Sequence, residues 1–582
     1  MKKFSLLCIL IICLGIKTAG RETVQKNNHN GLKLDYKVSV DTENKKHFSV
    51  KAVISGIQTE FLALRMTSNY GRVEKLEDII PRITISGKGK EITGIEKIEG
   101  FLWKIPLNTT EVMVDYLVNT QFPYSSLNMV RLPYRDDHHL YFPASSVFIF
   151  PDEQYLNENN VEIQKIRIQF ELPAGWLAAS SWGTDKLAYE LDPPTLDTLM
   201  AGLVGVGTYS VNSFTVKDLP VETAVLSGQG KYQDAGVTQA VKQGLKSAYS
   251  IFHFFPIPKF FAMVHFINEQ PGRLNGNALG WSINLNGGRS LDRTQWLELA
   301  SHIFAEIFHH WNGHVLNRGE DKSIIWFTEG VTNYYRVKNM LTSELITEEE
   351  AFQFLSKEFN RVFHSSRRED KLDELSRDYY SDRTAMDLTY SKGCCVTFAL
   401  DLLIKKISSN QRSFDDVMKH MIERYNYEDN GRTYTHEDVD ETIKEILGDK
   451  YFTSYKKLYG ENFISEFESV LKNNDLYLKK NKGRPLYFGI LNFGPPDGQV
   501  KILSIDRESP AYAAGLRSGD ILININRKKI RTTSSIKEIL ETIPKNEPVK
   551  LVIKRNGKLI SIKTPWNSFA VEFVITKKEN NI

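Results

Sequence analysis

Residues 296–312, Trp296-Leu-Glu-Leu-Ala-Ser-His-Ile-Phe-Ala-Glu-Ile-Phe-His-His-Trp-Asn312, carry the side chains best suited to chemistry. A helix reading His-Glu-x-x-His sets two imidazoles one turn apart on one face, where both reach one zinc ion and the Glu acts as general base. Here the five positions are Ala305, Glu306, Ile307, Phe308 and His309. The base and the second imidazole are present, and a methyl group stands at the first ligand position. Neighbouring histidines do not restore the pair. His302 precedes His309 by two helical turns, about 10.5 Å along the axis, whereas zinc holds each nitrogen at ~2.0–2.1 Å. Glu306 with His310, or His310 with His314, has the i,i+4 spacing, but each choice leaves Ile307 or Trp311 where the base belongs. Downstream, Glu329 in Thr328-Glu-Gly-Val-Thr-Asn-Tyr-Tyr335 fits a third ligand on a following helix, facing His309 across a tight helix-turn-helix.

The elements that must position these residues are legible from periodicity. From Leu32 to Tyr209 short alternating runs such as Leu34-Asp-Tyr-Lys-Val-Ser-Val40, broken by Asn, Gly and Pro, predict antiparallel strands. His138 and His139 within this region read as a solvated loop rather than a metal pair, because adjacent strand side chains point to opposite faces. From Ser210 onward the pattern turns helical. It predicts helices over 237–255, 347–362, 393–407 and 413–425, a strand over 259–266, and Asp292 as N-cap of the motif helix. A charged connector, Leu478-Lys-Lys-Asn-Lys-Gly-Arg484, leads to renewed strands from Leu486 to about Lys563. Within them Ser509 to Asn526 reads as a short helix, a glycine turn and a strand. Cys394 and Cys395 are the cysteines left after the leader and read as small buried hydrophobes.

The first residues, Met1-Lys-Lys and an apolar run from Phe4 to Ile16 closing on Thr18-Ala-Gly20, match a cleaved secretory signal. Ile12 before Cys13 argues against a lipid anchor. No later stretch reaches ~18 uninterrupted apolar residues, so the expected mature chain is exported, periplasmic or extracellular, without an integral membrane segment. With 74 basic and 71 acidic residues, and no long basic run, a nucleic-acid partner is not expected.

Taken together, Glu306-Ile-Phe-His-His-Trp-Asn312, Trp326-Phe-Thr-Glu-Gly-Val-Thr-Asn-Tyr-Tyr335, Thr389-Tyr-Ser-Lys-Gly393, Pro143-Ala-Ser-Ser-Val-Phe-Ile-Phe150 and the stretch Ser509 to Asn526 resemble the M61 metallopeptidases, the glycyl aminopeptidase group, with a C-terminal PDZ domain. The resemblance implies a multidomain α+β chain. Residues 1–20 are the signal, 21–209 an N-terminal antiparallel β domain, 210–477 a thermolysin-like helix-rich peptidase domain, and 478–582 a PDZ-like β/α module with the C-terminal tail. It makes Glu306 the general base, His309 and Glu329 zinc ligands, and Tyr390 a stabiliser of the developing oxyanion. Asn275 and Gly276 then stand where the family has a substrate-binding Glu and His, and Ala305 where it has its first ligand. These departures favour a catalytically impaired homologue that binds peptides or serves as a scaffold, with zinc retained only if other donors compensate. The alternative is an active zinc aminopeptidase with Glu306 as base. The PDZ-like module implies binding of peptides or protein C-termini, with Tyr487, Phe488, Gly489, Ile490 and Leu491 as the carboxylate-capturing turn and strand.

Overall fold

The computed structural model describes residues 31–577 apart from 42, 44, 71, 72, 74, 122–129, 227–233, 268–274, 289–292, 489, 494–498, 508, 545, 546 and 566. The signal-like leader, Asp292, Gly489 and the Pro495-Pro496 pair therefore lie outside the described residues. The chain divides into two compact units, residues 1–315 with 427–431, and residues 316–426 with 432–582.

The first unit begins with the predicted β domain. Strand Gly31–Ser39 alternates buried and open positions along its whole length, as does Glu111–Asn119. This period of two lets one face join the core while the other stays wet. Seven strands form one sheet, in which Gly31–Ser39 pairs antiparallel with His47–Ser55 and parallel with Glu162–Glu171. Sheets of four and five strands complete the domain. Its core buries Tyr36 and Tyr116, whose hydroxyls donate to the carbonyls of Ile149 (2.8 Å) and Val147 (3.1 Å), so neither phenol is left unpaired.

The β structure runs past Tyr209. Strands Ser210–Val216 and Leu219–Leu226 open a five-stranded mixed sheet with Phe260–Ile267, Ser282–Gly288 and, at its edge, Asn275–Leu279. The helix Asp234–Phe252 is the crossover between two of its parallel strands, and the motif helix Arg293–Phe308 follows the edge hairpin.

Of the two histidines read as a solvated loop, His138 lies in the half-exposed bend between two strands, but His139 does not belong to a loop. His139 opens strand His139–Pro143 and is 1% exposed, because that strand is paired on both sides, with Tyr134–Arg135 and Leu203–Gly207.

The second unit contains helices Ile325–Thr342, Glu348–His364, Arg383–Ile407, Phe414–Tyr425, His436–Tyr459 and Phe463–Asn473. Helix Arg383–Ile407 starts ten residues before the expected Gly393, since Asp382 caps it with a bond from the Thr384 amide. Cys394 and Cys395 are buried thiols on it. The charged connector is a strand rather than a linker: Leu476–Tyr487 pairs antiparallel with the C-terminal strand Asn567–Lys577. Between the two arms of this ribbon lies the PDZ-like module, with its own core of Phe488, Ile502, Leu516, Leu522, Leu551 and further buried side chains.

Candidate functional site

The motif helix Arg293–Phe308 buries one side, through Leu297, Leu299, Ala300, Ile303, Phe304, Ile307 and Phe308. Its half-exposed positions include Gln295, Glu298, His302, Ala305 and Glu306, and His309 continues them just past its end. Steps of three and four residues place these on one face, so folding leaves open the stripe on which a ligand pair and its base would stand. Ala305 contributes only a methyl group to it.

At His309 the α-helix gives way to a π-turn over His310–Val315, closed by the His314 amide bonding to the His309 carbonyl at 3.2 Å. The turn aims the Asn312 carbonyl at His309 Nδ1, 3.1 Å away. Donation from Nδ1 leaves Nε2 as the lone-pair nitrogen, the tautomer a metal-binding histidine uses. His310 points elsewhere. It is buried, with Nδ1 3.2 Å from the carbonyls of Glu306 and Ile307 and its ring edge-on to Phe260. Burial, with His314 beside it, pushes His310 down to about 3, and burial lowers His314 to about 4. Both are neutral at physiological pH.

Gly276 lies on the edge strand Asn275–Leu279, against the motif helix. A Cβ there would stand 2.5 Å from Glu306 Oε1, so the carboxylate occupies the space a side chain at 276 would take. Asn275 is the first residue of the same strand, opposite Asn286. Glu306, His309, Asn275 and Gly276 thus belong to the first unit.

Glu329 and Tyr390 belong to the second, on helices Ile325–Thr342 and Arg383–Ile407. The connection expected to be a tight helix-turn-helix is longer: the π-turn is followed by a single 3-10 turn, Lys322–Ile324, before Ile325 begins the next helix. The two second-unit helices touch at Gly330 and Gly393, where either Cβ would meet the other glycine's Cα at 2.6–2.8 Å. This contact brings Tyr390 to Glu329. Burial and the Glu329 carboxylate raise the Tyr390 hydroxyl well above its ordinary range, and Tyr379 hydrogen-bonds it at 2.8 Å. Tyr379 lies in the turn between Leu372–Arg377 and Arg383–Ile407, and nothing in its local pattern announces a partner eleven residues on.

In the PDZ-like module the predicted turn holds Phe488 at φ 56° with its side chain fully buried, and Ile490 is also in the core. What these two residues can offer a peptide is therefore backbone. Tyr487 ends the connector strand, and Leu491 lies within Ile490–Phe493. That strand pairs with Ile502–Ile505 on one side.

Comparison with known proteins agrees with this architecture. Residues 35–201 match the peptidase M61 N-terminal domain, and residues 501–555 a PDZ domain. An aminopeptidase N family protein from Idiomarina loihiensis superposes with a TM-score of 0.73 over 94% of this chain and 98% of its own, at 18% identity. An M1 zinc metallopeptidase from Deinococcus radiodurans gives 0.47 over 75% and 95%, at 12% identity. A probable periplasmic serine endoprotease, DegP-like, from Rickettsia prowazekii is 30% identical over 107 residues, which are 16% of this chain and 20% of that protein. The chain thus spans about a fifth of that relative's length. One polypeptide combines a peptidase M61 N-terminal domain with a PDZ domain, on the fold of the Idiomarina loihiensis protein.

Proposed function

We propose that this chain is an exported M61-like metallopeptidase homologue, impaired in zinc-dependent hydrolysis, that acts by binding peptides. The observation carrying this reading is Ala305, a methyl group on the half-exposed stripe that also holds Glu306 and His309. A catalytic zinc takes three protein donors and keeps one position for water. Among Ala305, His309 and Glu329 only two donors exist, so zinc does not fit the residues present. Without the ion Glu306 has no polarised water to deprotonate, and Tyr390 no oxyanion to stabilise.

Peptide binding draws on two strands. Asn275–Leu279 is the edge of its sheet, and Ile490–Phe493 pairs on one side only among the described residues. An extended peptide adds to such an edge through main-chain hydrogen bonds. Among the described residues no helix is long and apolar enough to cross a membrane, which is compatible with export, as are the signal-like leader and the periplasmic name of the DegP-like relative.

A second reading, an active aminopeptidase holding metal through His309, Glu329 and another group, is favoured by the bond from His309 Nδ1 to Asn312, since an orienting carbonyl is what a ligand imidazole needs. Release of N-terminal residues from short peptides decides between them. The proposal expects release by the unmodified chain to equal that of Glu306→Gln, and Ala305→His to bind one zinc more than the unmodified chain. Turnover by the unmodified chain that Glu306→Gln abolishes would overturn it. Recovery of metal by Ala305→His without turnover would make Asn275 and Gly276 the second lesion.

A further inference from the structure

We propose that Asp136, His139 and His265, within the first unit, form a metal site for a first-row transition dication such as zinc, distinct from the motif helix. Their ligand atoms all lie within 4.8 Å of one another. Two come from separate strands and one from a turn: His139 begins His139–Pro143, His265 lies in Phe260–Ile267 of the mixed sheet, and Asp136 follows Tyr134–Arg135.

Asp136 and His139 are held in place by hydrogen bonds. Asp136 Oδ1 accepts the backbone amides of His138 and His139, both at 2.8 Å, and the Asp136 amide bonds to the His139 carbonyl at 2.9 Å. The carboxylate is thereby fixed across the turn. His139 Nε2 lies 2.5 Å from the Thr208 carbonyl, an acceptor only, so this nitrogen carries the hydrogen. Nδ1 then faces Asp136 Oδ1 at 3.3 Å. In a neutral imidazole with its hydrogen on Nε2, Nδ1 holds a lone pair, and a lone pair does not settle against a carboxylate unless a proton or a cation lies between them. His265 Nε2 stands 3.9 Å from the other oxygen, Asp136 Oδ2, and both rings are 1% exposed. Two buried imidazoles converge on the two oxygens of one carboxylate.

The distances suit an ion. Ligands at ~2.0–2.1 Å from a tetrahedral zinc are separated by about 3.3–3.4 Å. His139 Nδ1 is already 3.3 Å from Asp136 Oδ1, His265 Nε2 at 3.9 Å from Oδ2 closes with a movement of about half an ångström, and all three ligand atoms lie within 4.8 Å of one another, so the rings draw together around an ion that the carboxylate grips from the edge. The Thr208 carbonyl supplies the orienting partner that metal-binding histidines use. Two imidazoles and a carboxylate are the donors of zinc and neighbouring divalent ions rather than of calcium or magnesium. Three protein donors leave the fourth position for a water. Bound there, an ion ties the turn of the β domain to a strand of the mixed sheet, a structural role.

The test is metal content and zinc titration of the full chain after chelation. One zinc is expected in the unmodified protein and in His309→Ala, with at least tenfold weaker binding in Asp136→Asn and His265→Gln. Should a variant fail to fold, Co2+ added to the unmodified protein and to His309→Ala reads the same site, giving the visible absorption of a four-coordinate ion in both. Zinc retained by both Asp136→Asn and His265→Gln would overturn the proposal. Absence of zinc and of a cobalt spectrum from the unmodified chain would overturn it equally. Because His309 plays no part here, failure of this site leaves the reading of the motif helix intact, and the reverse also holds.

Discussion

Glu306 fills the space that the absent side chain of Gly276 leaves, and what a new Cβ meets decides the cost of replacing a glycine. At 276 it meets the end of a flexible carboxylate arm, 2.5 Å away at Oε1, which can rotate aside. Gly276→Ala is therefore expected to change stability by less than about 1 kcal/mol in urea denaturation. The opposite case is Lys392, a fully buried cation in the Thr389-Tyr-Ser-Lys-Gly393 segment. Its ammonium donates to the carbonyls of Arg368 (3.1 Å), Asp370 (2.6 Å) and Gly460 (3.0 Å), while burial pulls its pKa down to about 8. Lys392→Met keeps the volume and strands three acceptors, each worth about 1–3 kcal/mol when left unpaired. Relief of the buried charge offsets part of this, so a net loss of roughly 2–4 kcal/mol is expected, read as a lower urea midpoint at unchanged slope. A Lys in a Ser-Lys-Gly run reads locally as solvated, so its carbonyl cage was not legible from sequence.

Between helices the decisive contact is Gly330 on Gly393. Both hypothetical Cβ atoms meet backbone, Gly393 Cα at 2.6 Å and Gly330 Cα at 2.8 Å, which cannot rotate away. Gly330→Ala should force the helices apart and cost about 2–3 kcal/mol or more. Adding Gly393→Ala should cost less than the sum, since the first substitution has already opened the contact. Helix Glu348–His364 is tied to the same pair through Glu358, which accepts from Arg361 (3.0 Å), Arg336 (3.4 Å) and Ser391 (2.6 Å). Burial alone would raise its carboxyl, yet Arg361, Arg336 and the Ser391 hydroxyl hold it below the usual 4.5. The native state then binds fewer protons than the unfolded chain as pH falls through 4.5, so stability drops from there downward. Glu358→Gln is expected to flatten that acid limb of a stability-versus-pH curve while lowering stability at neutral pH. These ties explain which elements were legible. Strands such as Gly31–Ser39 and helices such as Phe414–Tyr425 announce themselves by local period and caps. The stripe of Glu306 and His309 followed from the same spacing. By contrast, burial of His139 depends on strand neighbours on both sides, and the π-turn after Phe308 depends on which carbonyl the His314 amide reaches. The first rests on a strand some sixty residues away, and the second on a choice between neighbouring carbonyls that residue type does not make.

At the scale of the molecule, the second unit treats its PDZ domain as a docked part rather than a tethered one. The connector and the C-terminal strand close a ribbon around the module, and the ribbon lies on helix Glu348–His364. Asn360 of that helix pairs both ways with the Phe573 backbone, donating to its carbonyl at 2.7 Å and accepting its amide at 2.9 Å. Ser356 Oγ accepts the Ile575 amide at 2.9 Å, and the Phe573 ring packs on Phe363 with centroids 4.6 Å apart. The module itself adds buried Asp506 beside His364, 3.6 Å from Nδ1, and Arg507 donating to the Ser365 carbonyl. A charged run such as Leu478 to Arg484 looks like a linker because its partner strand lies some ninety residues further along the chain, which no local pattern records. Asn360→Ala removes both bonds to the Phe573 backbone while leaving the cores of helix and module untouched. It is expected to speed protease cleavage within the ribbon at least several-fold, with the thermal midpoint of the helical core shifted by only a few degrees. If docking also sets the peptide edge, the same variant should change the affinity of the whole chain for C-terminal peptides. Unchanged affinity alongside faster cleavage would show that the Ile490–Phe493 edge is built by the module alone. Equal cleavage in variant and parent would mean that Asn360 does not hold the ribbon, and that the aromatic contacts of Phe573 suffice.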